Sequence, residues 1–389
     1  MQYSMFYNRL DKEEKDVQVV NKRLAELDSL KGILCIIITF FYHYSWLITT
    51  DYPIKNVFTN CLYKKGYYAV ETFFVLSGFC MAYSYSERLR IDKNINIISF
   101  VGKRMRKIFP IMALALVFTT ILQFIHFNMY KSWYYVAEVN LYTFILSLFN
   151  LSSGWFVLDV NLNMPLWYLS ALMLDYVLYY VICRISKEKR EVYLFLISAA
   201  MLWGMSIIIS GHRSDLPFTY YNVARGHACF FTGTILNEVF QFINNEKICR
   251  RMAIFFALVL SAICCLLYFY GETRVLAGTE WLSQMIWGVI LSPMVIWICL
   301  YLKPVKNLLK LQELVKFGGV SMSMYIWHFP CYQMIRIFSG IVPIHQFYTN
   351  IWFYLVVISF IVFTSVFSST IIEPKLNKAI ENIIYNLHI

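Results

Sequence analysis

Charge is scarce in this sequence. Only 15% of its 389 residues are Asp, Glu, Lys or Arg, against roughly 25% in a soluble domain. Hydrophobic residues make up 59%, and a water-soluble fold of that composition would expose more contiguous apolar surface than a monomer tolerates. Metal-binding patterns are missing too. The ten cysteines include no CxxC pair and no Cys/His cluster at zinc spacing, so no metal is expected. Cys35, Cys80, Cys183, Cys229, Cys264, Cys265, Cys299 and Cys331 fall in or beside apolar runs, where the thiol acts as a small hydrophobe rather than part of a disulfide framework. No short apolar core with a small-residue cleavage site precedes Asp28, so no cleavable signal peptide is expected. There is no internal repeat, soluble domain or long linker.

Apolar runs and aromatic rings dominate instead. Aromatic residues reach 18%, with 29 Tyr and 32 Phe, which suits lipid-facing helices and interfacial belts. Ten runs at 32–50, 67–85, 108–126, 165–184, 191–210, 223–242, 252–270, 281–302, 319–338 and 351–372 approach the ~20 residues that a bilayer core requires. The expected fold is an all-α polytopic membrane protein of about ten transmembrane helices. A polar lead-in (1–26) and a short tail (374–389) would flank one membrane domain at 27–373. Segment 140–158 is apolar but holds Asn150, Ser152, Ser153, Gly154 and Asp159, and reads as a re-entrant or interfacial piece.

The net charge of +11 could suggest nucleic acid, but the basic residues sit in short loops between the apolar runs, as positive-inside topology requires. With the N-terminus inside, the inner segments hold 26 of the 34 Lys and Arg residues. Both termini are thus expected in the cytoplasm, with anionic lipid head groups as the partners of this charge and no nucleic acid.

Ionisable residues at membrane depth are expensive, and each is a functional candidate. They are His43, Glu71, Arg225, His227 and His328, with Asp175 weaker. His43 follows Lys31 by twelve residues, which lifts it about 18 Å along a helix. A neutral imidazole there could take a proton from a hydroxyl, or simply pack against a neighbouring helix. Glu71 is roughly level with His43 and could orient it, or pair structurally. Arg225 could meet Glu71 or a polar acceptor; His227, two residues on, faces away from it. His328 either lines the site or packs. Ser77-Gly78 permits close helix approach. The run Lys103-Arg104-Met105-Arg106-Lys107 could clamp the phosphates of an anionic donor, or be topology signal alone.

Read together, these segments resemble the acyltransferase-3 family of integral membrane proteins. The resemblance rests on Leu27-Asp28-Ser29-Leu30-Lys31-Gly32-Ile33 leading to His43, on Gly66 to Phe79, and on Arg104-x-x-Lys107-Ile108-Phe109-Pro110. It continues in Pro165-Leu166-Trp167-Tyr168-Leu169-Ser170, Arg225-Gly226, and Ser321 to Pro330 with Tyr325-Ile326-Trp327-His328. The set occurs in the family's order over nearly the whole chain. It implies a ten-helix acyltransferase that takes acyl-CoA as co-substrate from the cytoplasm, often toward an extracytoplasmic sugar. No permanently bound cofactor is implied. His43 would be catalytic, with Glu71 beside it, and Lys31, Arg104 and Lys107 would bind the donor. Trp167, Arg225 and His328 are the candidates for the acceptor side, and Trp327 is a candidate for lining a passage, although membrane tryptophans more often anchor at interfaces. An acetyl group moved to a glycan hydroxyl, in the cell membrane, is the expected reaction. A non-enzymatic carrier of a lipid-linked glycan is the alternative.

Two features depart from the family's pattern. Lys31 stands where Arg is usual, which loses bidentate phosphate geometry. Eleven residues, rather than ten, separate it from His43. At 100° per residue the longer step turns His43 away from Lys31's face. If both serve one site, a single π-bulge within 33–42 is predicted.

Overall fold

The computed structural model describes residues 23–48, 51–92, 94–135, 138–155, 160–210, 218, 220–270 and 280–386. Among these residues all regular structure is helical. Helix α1 spans Ala25–Ile36 and passes into a π-helical turn, Ile37–Tyr42. The short α2, Val57–Lys65, is opened by a capping box between Asn56 and Thr59. Then come α3 (Tyr68–Ile91), α4 (Ile97–Tyr130), the short α5 (Leu141–Leu148) and α6 (Trp167–Ser186). They are followed by α7 (Arg190–Ser210), α8 (Tyr221–Phe242) and α9 (Glu246–Tyr270). The run α10 (Glu280–Met285), π turn Ile286–Leu291 and α11 (Ser292–Tyr301) is one continuous helix. After α12 (Lys303–Leu309) come α13 (Gln312–Ser339) and α14 (Ile351–Phe367). The last of these continues through the π turn Ser368–Ile372 into α15 (Glu373–Asn386).

Each of the ten predicted spans falls on a helical run. Six runs are long and apolar enough to cross a membrane by length and composition: Ile108–Tyr130, Met164–Ser186, Arg190–Ser210, Glu246–Leu266, Leu282–Tyr301 and Ile351–Ala379. The others, α1, α3, α8 and α13, carry the polar side chains that the middle of the bundle buries, among them Glu26, His43, Glu71, His227, Glu238 and His328. The described part of segment 140–158 makes no spanning helix: α5 has eight residues and ends at Leu148, two residues before Asn150 with its φ of +60°.

Boundaries moved where tertiary contacts override local signals. The first span was expected at 32–50, but α1 starts at Ala25, because its polar first turns pair with one another and with α12 through Lys306–Glu26. Helix α4 begins at Ile97, capped by the Asn96 side chain on the Ser99 N–H, and runs through Pro110 rather than starting near it. The basic run 103–107 is therefore helical. Residues 374–386, expected as a tail, continue the helix.

Two close pairings make the centre, α3 against α8 and α1 against α13. A methyl group added at Gly78 of α3 would collide with the Phe230 carbonyl of α8, and one at Gly233 with the Val75 carbonyl. Only glycine lets these backbones touch, as the Ser77-Gly78 pair suggested. Helices α7, α9 and α14 form the rim, where Phe195, Phe255, Leu258, Trp352 and Phe363 are exposed. Such a surface is stable only against lipid.

Candidate active site

The π turn aims His43. The His43 N–H reaches back five residues to the Ile38 carbonyl, at 2.9 Å, which is the π-helical bond. The predicted bulge is present, within the predicted interval. Widening and ending a helix here leaves carbonyls without intrahelical donors, and side chains supply them. Tyr332 of α13 donates to the Thr39 carbonyl at 2.5 Å and Tyr354 of α14 to that of Phe40 at 3.1 Å. The Ser45 hydroxyl donates to the Tyr42 carbonyl at 2.6 Å.

His43 meets His328 of α13: its Nδ1 lies 2.7 Å from Nε2 of His328, with the rings stacked at 4.8 Å. His328 Nδ1 is 3.3 Å from the Met324 carbonyl one turn earlier. Around His43 stand the rings of Trp46 at 4.5 Å and Tyr42 at 5.1 Å, and Tyr42 continues to Tyr67 at 5.6 Å. Trp46 also meets the exposed Tyr135 at 4.9 Å. The histidine pair thus borders an aromatic cluster from helix ends and loops.

A cavity of about 560 Å³, lined by neither histidine, shares Tyr325 with the surroundings of the pair. Arg23, Lys31, Lys103 and Arg104 line it together with Asp28, and Tyr168 and Tyr325 line it as well. Asp28 joins two of the cations, accepting from Arg23 at 2.7 Å and Lys31 at 3.1 Å. Arg104 is boxed by Phe100 at 3.6 Å and Tyr85 at 4.4 Å and donates to the Phe100 carbonyl. Lys107 lies on the same helix, but its side chain is outside the described residues. Tyr325 connects the cavity to the pair: its ring is 5.7 Å from His328 and 5.8 Å from Tyr168, and its hydroxyl is anchored on the Pro165 carbonyl at 2.8 Å.

Glu71 is placed differently from its expected role beside His43. It accepts from Arg225 of α8, at 3.0 Å from Nε, while the group on His43 Nδ1 is His328. Arg225 also donates to Asn222 and lies 5.8 Å from the Trp167 ring, so Glu71, Arg225 and Trp167 form a second cluster. His227 does face away from Arg225: it pairs with Asp175 and stacks on Trp203 at 5.1 Å. Trp327 is a packing residue that donates to Ser368 at 2.8 Å. The run Lys103 to Lys107, read as a candidate phosphate clamp, does bring Lys103 and Arg104 to the cavity; His328 as the partner of His43, and Arg23 at the cavity, were not foreseen. Only the fold shows the first; Arg23 lay in a mixed-charge stretch that carried no spacing signal.

A helical membrane protein, with a buried histidine pair that one tyrosine links to a cation-lined cavity, fits the class of multi-pass membrane enzymes. A family model described as an acyltransferase domain matches residues 24–370. The chain belongs to that family, acyltransferase-3, and is an acyltransferase. Comparison with curated proteins and with solved structures gives no match.

Proposed function

We propose that this enzyme moves an acyl group, acetyl first among them, from cytoplasmic acyl-CoA to a hydroxyl of a sugar or glycan at the outer face of the cell membrane. The observation that carries this reading is a chain of contacts: Lys31, Arg104 and Tyr325 line one cavity, the Tyr325 ring meets His328, and His328 meets His43. The excess of Lys and Arg in the inner segments supports a ten-crossing topology with both termini in the cytoplasm, the cavity's cations on that side.

In this reading Lys31, Arg104 and Lys107 hold the phosphates of the donor. The pantetheine arm runs along the cavity past Tyr168 and Tyr325. His43 takes the proton of the acceptor hydroxyl as its oxygen attacks the thioester carbon. The C–O bond forms, the C–S bond breaks, and the thiolate recovers the proton from the imidazolium to leave as free CoA. Trp46, Tyr42 and Tyr67 give the acceptor apolar faces beside the base, and the Glu71–Arg225–Trp167 cluster supports its polar end.

The test is CoA release from acetyl-CoA by protein in nanodiscs, with a crude glycan extract as acceptor, for wild type and His43→Ala. Acceptor-dependent release that falls at least about 100-fold in the variant, with donor binding retained, is expected. Undiminished release would remove His43 from the chemistry, and absence of donor binding by both proteins would favour a carrier.

A further inference from the structure

His43 and His328 share one hydrogen bond, and its proton can be located from its surroundings. Nδ1 of His328 faces the Met324 carbonyl at 3.3 Å. A carbonyl oxygen only accepts, so Nδ1 of His328 bears hydrogen. In a neutral imidazole the second nitrogen then holds the lone pair, so Nε2 of His328 accepts. The proton in the 2.7 Å contact therefore sits on Nδ1 of His43. It follows that Nε2 of His43 is the nitrogen with the free lone pair. The reverse arrangement would need either an imidazolium at a fully buried position, His328 being 0% exposed, or a lone pair aimed at the Met324 oxygen. Because Met324 and His328 lie one turn apart on α13, the rigid helix backbone fixes the first link of this series.

We propose that His328 is a positioning residue: through the Met324 carbonyl it sets the tautomer and ring plane of His43, so that Nε2 of His43 receives the hydroxyl proton. This rests on the proposed role of His43 as base. A residue that only filled space would leave both tautomers of His43 accessible, including the one with the proton on Nε2.

Two substitutions separate positioning from packing. His328→Leu keeps an apolar side chain but removes the acceptor. His328→Gln can accept from His43 through its carbonyl oxygen and donate to Met324 through its amide. The expected result is a kcat loss of about 100-fold for His328→Leu, with KM for acetyl-CoA within about twofold, and recovery of most of that loss in His328→Gln. Nitrogen-15 spectra of histidine-labelled protein in nanodiscs, assigned by difference against His43→Ala, should show Nδ1 of His43 protonated and Nε2 not. A protonated Nε2 in the wild type overturns the proposal, as does equal impairment of the Leu and Gln variants. Normal turnover in His328→Leu alongside an inactive His43→Ala overturns the positioning role alone. Undiminished CoA release in His43→Ala overturns the base assignment and the role of His328 with it.

Discussion

The centre and the rim of this bundle invert each other's chemistry. In an apolar 18-residue window of the segment Glu246–Leu266 only 11% of residues are buried within the protein, whereas in that of the segment Met164–Ser186 72% are. The exposed helix is the plainer one, built of Phe, Leu, Ile and Ala facing outward. The buried helices hold the Glu71–Arg225 pair, the Asp175–His227 pair and the His43–His328 pair. In water a core is apolar and a surface polar. Here lipid takes over the apolar surface, and these charged and imidazole groups gain by turning inward, where they pair with one another.

Substitutions at the centre should therefore be felt far more than those at the rim. Glu71→Leu leaves the buried Arg225 without its carboxylate, and a loss of ~3–5 kcal/mol is expected, seen as a large drop in melting temperature in detergent. Adding Arg225→Met should restore much of it; failure to do so would show that Glu71 acts through other partners. Gly78→Ala forces α3 and α8 apart and should cost ~1–3 kcal/mol, read from the same melting curves. Tyr332→Phe removes one hydrogen bond from the Thr39 carbonyl and should cost ~1 kcal/mol, with a larger effect on turnover than on melting because the π turn carries His43. At the rim, Leu258→Ala should stay within about 0.5 kcal/mol. A rim effect as large as that of Gly78→Ala would break the comparison.

The same inversion explains what the sequence made legible. Rim helices announce themselves by uninterrupted apolar length, and all six spans that pass on length and composition were read. The ordered motifs led to the family, and the extra residue before His43 led to the π turn, because helical phase is a local property. Partners across the bundle were harder. Glu71 needed a counter-charge and Arg225 was a candidate, since few charges exist at that depth. His43 and His328 are 285 residues apart, and no periodicity relates them. The starts of α4 and α1 were placed late because the runs were read by apolar length, which breaks off at the basic run 103–107 and at Asp28 and Lys31, whereas both helices continue through these residues to Ile97 and Ala25.

The tyrosines that satisfy the Thr39 and Phe40 carbonyls come from 293 and 314 residues downstream. At a synthesis rate of ~5–20 residues per second, those helices emerge roughly 15–60 s after the first. Until then the turn that aims His43 has lone pairs without donors, and a chain stopped before Tyr354 carries the histidine but not its final geometry. The first helix to be made is the last to be finished, since the donors to its terminal carbonyls stand near the end of the sequence.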